Sequence, residues 1–155
     1  MSTQISISTI IPGEEQQALD LVRQVFDSNV APTYSDEGNE EFYKFLRLDD
    51  FLKRIQDNHL VFVAKDSSNV IVGTLELRAS SHISLLFVRD DLQRSGIGRT
   101  LVAQAISVAK SAGISSLSVN SSPNAVSGYE SYGFRADSGE RIINGIRFVP
   151  MTMDL

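Results

Sequence analysis

The segment Gln93-Arg94-Ser95-Gly96-Ile97-Gly98-Arg99-Thr100 gathers two glycines, two arginines and two hydroxyls just ahead of an amphipathic run. That combination suits anion binding. Glycines at 96 and 98 remove Cβ groups and let a phosphate approach the backbone closely. Main-chain N–H groups in the first turn of a helix lack intrahelical partners and can point at the same anion. Arg94 and Arg99 add charge, and Thr100 offers a further hydroxyl donor. Two glycines ahead of a helix also serve as a plain strand-to-helix turn, so the spacing by itself leaves both readings open. Two familiar phosphate motifs are excluded. No Lys-Ser or Lys-Thr closes the segment, as a P-loop requires. A dinucleotide fingerprint needs three glycines early in a βαβ unit and an acidic residue about twenty positions on. With no cysteine in the chain, thiol nucleophiles, thiolate metal ligands and disulfides are absent.

The elements that must position this turn are legible from hydrophobic period and punctuation. Gln4 to Ile10 forms a candidate first strand, after which Pro12 opens a helix marked by Ala18, Leu21, Val22, Val25 and Phe26. Ser35 is a candidate N-cap for a second helix carrying Phe42, Phe45 and Leu46, and Asp49 for a short helix through Ile55. Leu60–Ala64, Val70–Arg78 and His82–Val88 read as consecutive strands, the first two joined by a turn at Asp66–Asn69. The helix from Gly98 to Ala112 ends at Gly113, where a left-handed cap belongs. Leu117–Asn120 is a short strand, Ser122-Pro123 starts another helix that stops at Gly133, and Ile143-Asn144-Gly145-Ile146 signals a type I′ hairpin. The order β-α-α-β-β-β-α-β-α-β-β predicts an α/β (α+β) fold, with a mixed sheet of about seven strands flanked by about four helices. The crossover after His82–Val88 places the next strand parallel to it. Without a repeat or linker, residues 1–155 read as a single domain.

Gln93-x-x-Gly96-x-Gly98 resembles the acyl-CoA signature of the GNAT superfamily of N-acetyltransferases. The preceding Leu86-Phe87-Val88 resembles that family's fourth strand, whose backbone pairs with the pantetheine arm. Asn120-Ser121-Ser122-Pro123-Asn124-Ala125, followed by Tyr129 and Gly133-Phe134, resembles the strand-to-helix segment lining the thiol end. The element order and closing hairpin agree as well, so the resemblance covers essentially the whole chain. It implies acetyl-CoA as co-substrate, with Leu86, Phe87, Val88, Gln93, Arg94, Ser95, Gly96, Ile97, Gly98, Arg99, Thr100, Asn120 and Ser122 as the cofactor-binding residues. No metal is implied.

Acetylating an amine requires a deprotonated amine, a polarised thioester and a proton for the departing thiolate. In enzymes this sequence resembles, a tyrosine at the place of Tyr129 supplies that proton, and a phenol near pKa ~10 suits the task. The alternative for Tyr129 is a ring packed on the sheet. Tyr132 fits a position usually filled by leucine and reads as core. His82 stands where histone-type members of the superfamily carry a catalytic glutamate. Strand alternation puts it on the face of Ser84, Leu86 and Val88, and a neutral imidazole can accept the amine's proton. A strand-end histidine without a role is the equal alternative. Glu76 on the adjacent strand is the competing base, and ordered water is a third route. His59 reads as a surface or capping residue. Asn120 and Ser122 either contact the pantetheine or, for Ser122, cap the following helix.

Composition narrows the partners. The net charge of −5 lacks the basic surplus of a nucleic-acid binder. This also argues against a toxin that acylates aminoacyl-tRNA. No apolar run is long enough for a membrane span, and Met1 to Ile10 lacks the form of a secretory signal. The expected setting is cytoplasmic, the acceptor a small-molecule or peptide amine, and the assembly a possible homodimer. Asp36, Glu37, Glu40 and Glu41 form an acidic cluster, read either as a solvated helix face or as a rim attracting cationic amines. The competing function is a non-catalytic acyl-CoA-binding sensor.

Overall fold

Two continuous apolar runs set the frame. Val61–Ala64 and Ile71–Leu77 are buried throughout, the pattern of strands covered on both faces, with Thr74 and Glu76 as polar exceptions. The computed structural model describes residues 4–155. Its elements in chain order are β1 (Ser6–Thr9), α1 (Glu15–Asn29), α2 (Asp36–Phe45), α3 (Leu48–Gln56), β2 (Leu60–Lys65), β3 (Ile71–Arg78) and β4 (His82–Val88). There follow α4 (Ile97–Ser111), β5 (Ser116–Ser121), α5 (Val126–Tyr132), β6 (Arg135–Ala136), β7 (Arg141–Ile143) and β8 (Ile146–Asp154). The reading of the extreme N-terminus as no secretory leader rests partly on Met1–Thr3, which lie outside the described residues.

The strands form one mixed sheet in the order β1-β2-β3-β4-β5-β8-β6, with β7 on β8. The β4–β5 pair is parallel, as the α4 crossover requires, and the other pairs are antiparallel. Eight strands and five α-helices replace the expected seven and four. The additions are β6, only two residues long and without a period to read, and α3, whose expected short helix had no place in the order. One face of the sheet packs Leu101, Val102, Ala105 and Ala109 of α4. The opposite face packs Leu19 and Val22 of α1 and Phe51 of α3. Among the described residues, no helix is long and apolar enough to cross a membrane.

Local signals carry over with small shifts. Ser35 Oγ accepts from the Gly38 amide at 3.2 Å. Pro12 stands in a turn before α1, whose N-cap is Glu14, and Arg47 rather than Asp49 precedes α3. Asn144 and Gly145 have φ of 53° and 80°, the two positive values of a type I′ turn. That hairpin tip presses onto α2, because a Cβ on Gly38 would overlap the Gly145 carbonyl. Arg147 fastens the arm behind the tip, donating to both Glu140 oxygens at 2.8 and 2.9 Å and to the Thr33 carbonyl at 2.9 Å. Tyr34 donates its hydroxyl to the Arg147 carbonyl at 2.8 Å. The hairpin therefore braces the chain between α1 and α2.

Two irregularities mark β4. Ser84 has no partner on β3, since Glu76 faces Leu85 and Leu77 faces Ile83. This bulge shifts the side-chain phase. Ile83 joins the α4-side core, whereas Leu85 joins the α1–α3 side. Further along, β4 and β5 share only the pairs His82–Ser118 and Ile83–Val119. From Ser84 onward β4 has no ladder partner on its β5 side.

Candidate active site

Where β4 and β5 part, a cleft of about 820 Å³ opens. It is bounded by the start of α4, the free edge of β4, the end of β5, α5 and the C-terminal turns of α1. The missing ladder leaves backbone donors and acceptors along Ser84–Val88 for a ligand carrying amides.

The α4 end of the cleft has the form of an anion cradle. Gly96 occupies the N-cap position at φ 92°, and no side chain caps the first-turn amides. Arg94 also stands at positive φ, 63°. The first turn holds no acidic residue. Both arginines line the cleft, and Arg99 is steadied by a bond to the Ser131 carbonyl at 3.1 Å. Gln93 works on the protein itself, donating to the Val88 carbonyl at 3.1 Å and to Asp90 Oδ1 at 3.3 Å. Ser95 and Thr100 do likewise: their hydroxyls donate to the carbonyls of Leu92 and Gly96. Thr100 is thus no free hydroxyl donor, because its short side chain reaches back to the preceding turn. Ile97 sends its side chain into the core and leaves only its amide.

The far lip comes from β5 and α5. Asn120 lines the cleft and is exposed. Ser122 lines it as well, with its hydroxyl bonded to Asn124 Oδ1 at 2.9 Å. The expected helix cap does not form, since Pro123–Ala125 makes a 3-10 turn before α5. Tyr129 is buried yet borders the cleft, its ring edge-on to Tyr132 at 6.1 Å and Phe134 at 5.6 Å. Burial, reinforced by Tyr132, holds its hydroxyl well above the ordinary phenol range, so it stays protonated. Tyr132 packs against the core and is half-buried on the cleft, its hydroxyl lying over Gly98 where a Cβ would collide.

The two candidate bases stand apart from this cleft. Glu76 is 1% exposed and accepts from Arg54 Nε at 2.8 Å and Nη2 at 3.2 Å. Its Oε2 also lies 2.8 Å from His59 Nδ1. Fully engaged, this carboxylate does not line the cleft, and His59 is its half-buried partner rather than a surface cap. His82 does not border the cleft either. The Ser84 bulge reverses the alternation that would have put it on the face of Leu86 and Val88. Its Nδ1 sits 2.8 Å from Ser118 Oγ, and burial, with Arg78 nearby, pushes its pKa down to about 4.

That shift has a measurable consequence. Between pH ~6.5 and the folded value near 4, the unfolded chain binds the proton that folded His82 refuses. Stability from this residue is therefore full above the unfolded pKa and is lost as pH falls through that window. Urea titrations from pH 7 to 4 should show a decline that His82→Gln makes shallower. An unchanged slope would refute this account.

Asn29 went unread in the sequence, and so did the contact that Asn124, read only as part of a segment, makes with it. Asn29 Nδ2 donates to Asp90 Oδ1 at 2.6 Å, and Asn124 Nδ2 donates to the Asn29 carbonyl at 2.8 Å. They tie the end of α1 to both lips. Partners 61 and 95 residues apart leave no local pattern to find. Among the described residues, no group of three or more metal-ligating side chains occurs.

One family model matches most of the chain. The family model described as an acetyltransferase (GNAT) domain matches residues 30–155. A GCN5-related N-acetyltransferase from Rhodopseudomonas palustris superposes with a TM-score of 0.85 at 24% identity, over 100% of this chain and 99% of that one. The PaiA N-acetyltransferase from Thermoplasma acidophilum, solved in complex with coenzyme A, gives 0.78 at 20% identity over 98% and 99%. The ribosomal-protein-S18-alanine N-acetyltransferase from Escherichia coli gives 0.69 at 18% identity over 97% and 94%. Among curated proteins none matches.

Proposed function

Because this chain belongs to the acetyltransferase (GNAT) family and is an acetyltransferase, we propose that it moves an acetyl group from acetyl-CoA to a primary amine by direct attack in a ternary complex. The observation carrying this reading is the continuity of the cleft from the uncapped start of α4, along the free edge of β4, to Tyr129. Bound acetyl-CoA supplies the activated acetyl group as a thioester. First-turn amides of α4, with Arg94 and Arg99, hold the diphosphate. Leu86 and Val88 offer backbone groups to the pantetheine arm, and Asn120 adds an amide on the opposite lip. Phe87 and Ile97 fix the two walls through their side chains, while Gln93, Ser95, Thr100 and Ser122 hold the loops in shape.

Tyr129 holds its proton until the carbon–sulfur bond breaks, passes it to the departing sulfur and regains one from solvent. An elevated phenol pKa alone would weaken it as an acid. The same dry surroundings raise the affinity of the leaving thiolate for a proton, so the two remain matched. The attacking nitrogen loses its proton to solvent at the cleft mouth, since neither Glu76 nor His82 borders the cleft. Holding both partners in one cleft supplies much of the acceleration.

Calorimetry with acetyl-CoA, paired with thiol release over a panel of amines, tests this reading. Wild type should bind and turn over. Gly96→Val places a branched side chain at φ 92°, a strained conformation beside the phosphate site. It should weaken acetyl-CoA binding at least about tenfold, a loss of about 1.4 kcal/mol. Tight binding without turnover of any amine would instead describe an acyl-CoA sensor. Wild type that ignores every CoA species would refute both.

A further inference from the structure

Resting on the reading of this cleft as the transfer site, we infer that the acceptor is a small monoamine with an aryl or bulky alkyl body and no second charge. The end of the cleft away from α4 is walled by Val25, Phe26, Val30, Phe42, Leu85 and Phe87. Phe26 stacks on Phe42, with centroids 4.0 Å apart and planes 14° from parallel. Phe42 in turn faces Phe87 at 6.1 Å and 50°, which forms a tilted aromatic notch. A third ring entering it completes edge and offset contacts of the kind aromatic groups prefer.

The charge pattern excludes other amines. Among the described residues lining the cleft, the charged ones are Arg94 and Arg99, both at the end assigned to the diphosphate. No carboxylate lines it. On α2, none of Asp36, Glu37, Glu40 and Glu41 lines the cleft; the first three are exposed and Glu41 is half-buried. Asp27, nearby on α1, is outside the lining and engaged by Arg23 and the Tyr43 hydroxyl. A polyamine's second ammonium would be stripped of water here without a counter-charge, and a free amino acid's carboxylate would lack a cation. The polar groups available are neutral. The Tyr34 hydroxyl is already spent on the Arg147 carbonyl, and the other hydroxyl and amide side chains on the lining, Ser84, Asn120 and Ser127 among them, carry no charge.

Four probes separate these chemistries: 2-phenylethylamine, phenylalaninamide, phenylalanine and spermidine. Calorimetry of each against the CoA-loaded protein reads binding whether or not turnover occurs. The two uncarboxylated aryl monoamines should bind at least about 100-fold more tightly than phenylalanine or spermidine, and kcat/KM should run in the same order. Phe42→Ala should raise the Kd of 2-phenylethylamine at least about tenfold and leave that of acetyl-CoA unchanged. Phe42→Leu, which keeps apolar bulk, serves where the alanine variant fails to fold and should shift the preference toward alkylamines. Equal or tighter binding of spermidine or phenylalanine overturns the inference, as does indifference to both Phe42 variants. Those outcomes leave the transfer reading standing, whereas absence of acetyl-CoA binding removes that reading itself.

Discussion

Tyr129→Phe should bind acetyl-CoA with unchanged affinity and lose about 10²- to 10⁴-fold in kcat, the range expected when a positioned proton donor is removed. The substitution deletes one oxygen and keeps the ring. The edge-on contacts with Tyr132 and Phe134 therefore survive, and the fold has little reason to respond. Among the described residues lining the cleft, Tyr34 and Tyr132 also carry phenols, but Tyr34 donates to a carbonyl and Tyr132 lies over Gly98 at the α4 end. Neither replaces Tyr129 without moving. Steady-state rates with isothermal titration would separate chemistry from binding. A kcat within about threefold of wild type, with unchanged Kd, would mean that solvent protonates the leaving sulfur.

Arg54→Met should destabilise the fold by about 3–5 kcal/mol, the usual cost of stranding one member of a buried ion pair. Glu76 is 1% exposed and draws both its guanidinium bonds from Arg54. The same guanidinium donates to the Phe45 carbonyl at 2.9 Å and lies 3.6 Å over the Phe45 ring. It thus joins α2, α3 and β3 at one point. Urea denaturation would measure the loss. The double variant Arg54→Met, Glu76→Leu removes the carboxylate together with its guanidinium, leaves only the half-buried His59 ring without its partner, and should recover part of the stability. If the double variant is as weak as the single, the cost lies in packing against Phe45 and not in the charge.

Much of the architecture was readable because its signals are local. The period of α1, the cap at Ser35, the Asn144-Gly145 turn and the glycine stop at Gly133 each act within a few residues. The parallel β4–β5 pair was readable because a helical crossover leaves little alternative. The glycine turn at α4 came from the same local reasoning. What failed was non-local. One unpaired residue, Ser84, inverted the facing of His82, and no alternation rule registers an insertion made opposite another strand. Glu76 looked free because its partners lie 22 and 17 residues away, Arg54 on α3 and His59 just before the neighbouring strand β2. Tyr132 was legible as core packing but not as a cleft residue, because sequence spacing does not say where α5 tilts relative to Gly98.

The parting of β4 from β5 also bears on how this protein avoids its own kind. A bare row of strand amides on a rim invites another chain to zip alongside and seed aggregates. Here the bare row lies inside the sheet, with β3 behind it and β5 and β8 across the gap. A slot flanked by strands on both sides shuts out a stiff, side-chain-laden intruder and admits a slender, flexible thread of amides. The place of the row inside the sheet therefore guards it, where a strand on the rim would rely on a charge or a proline.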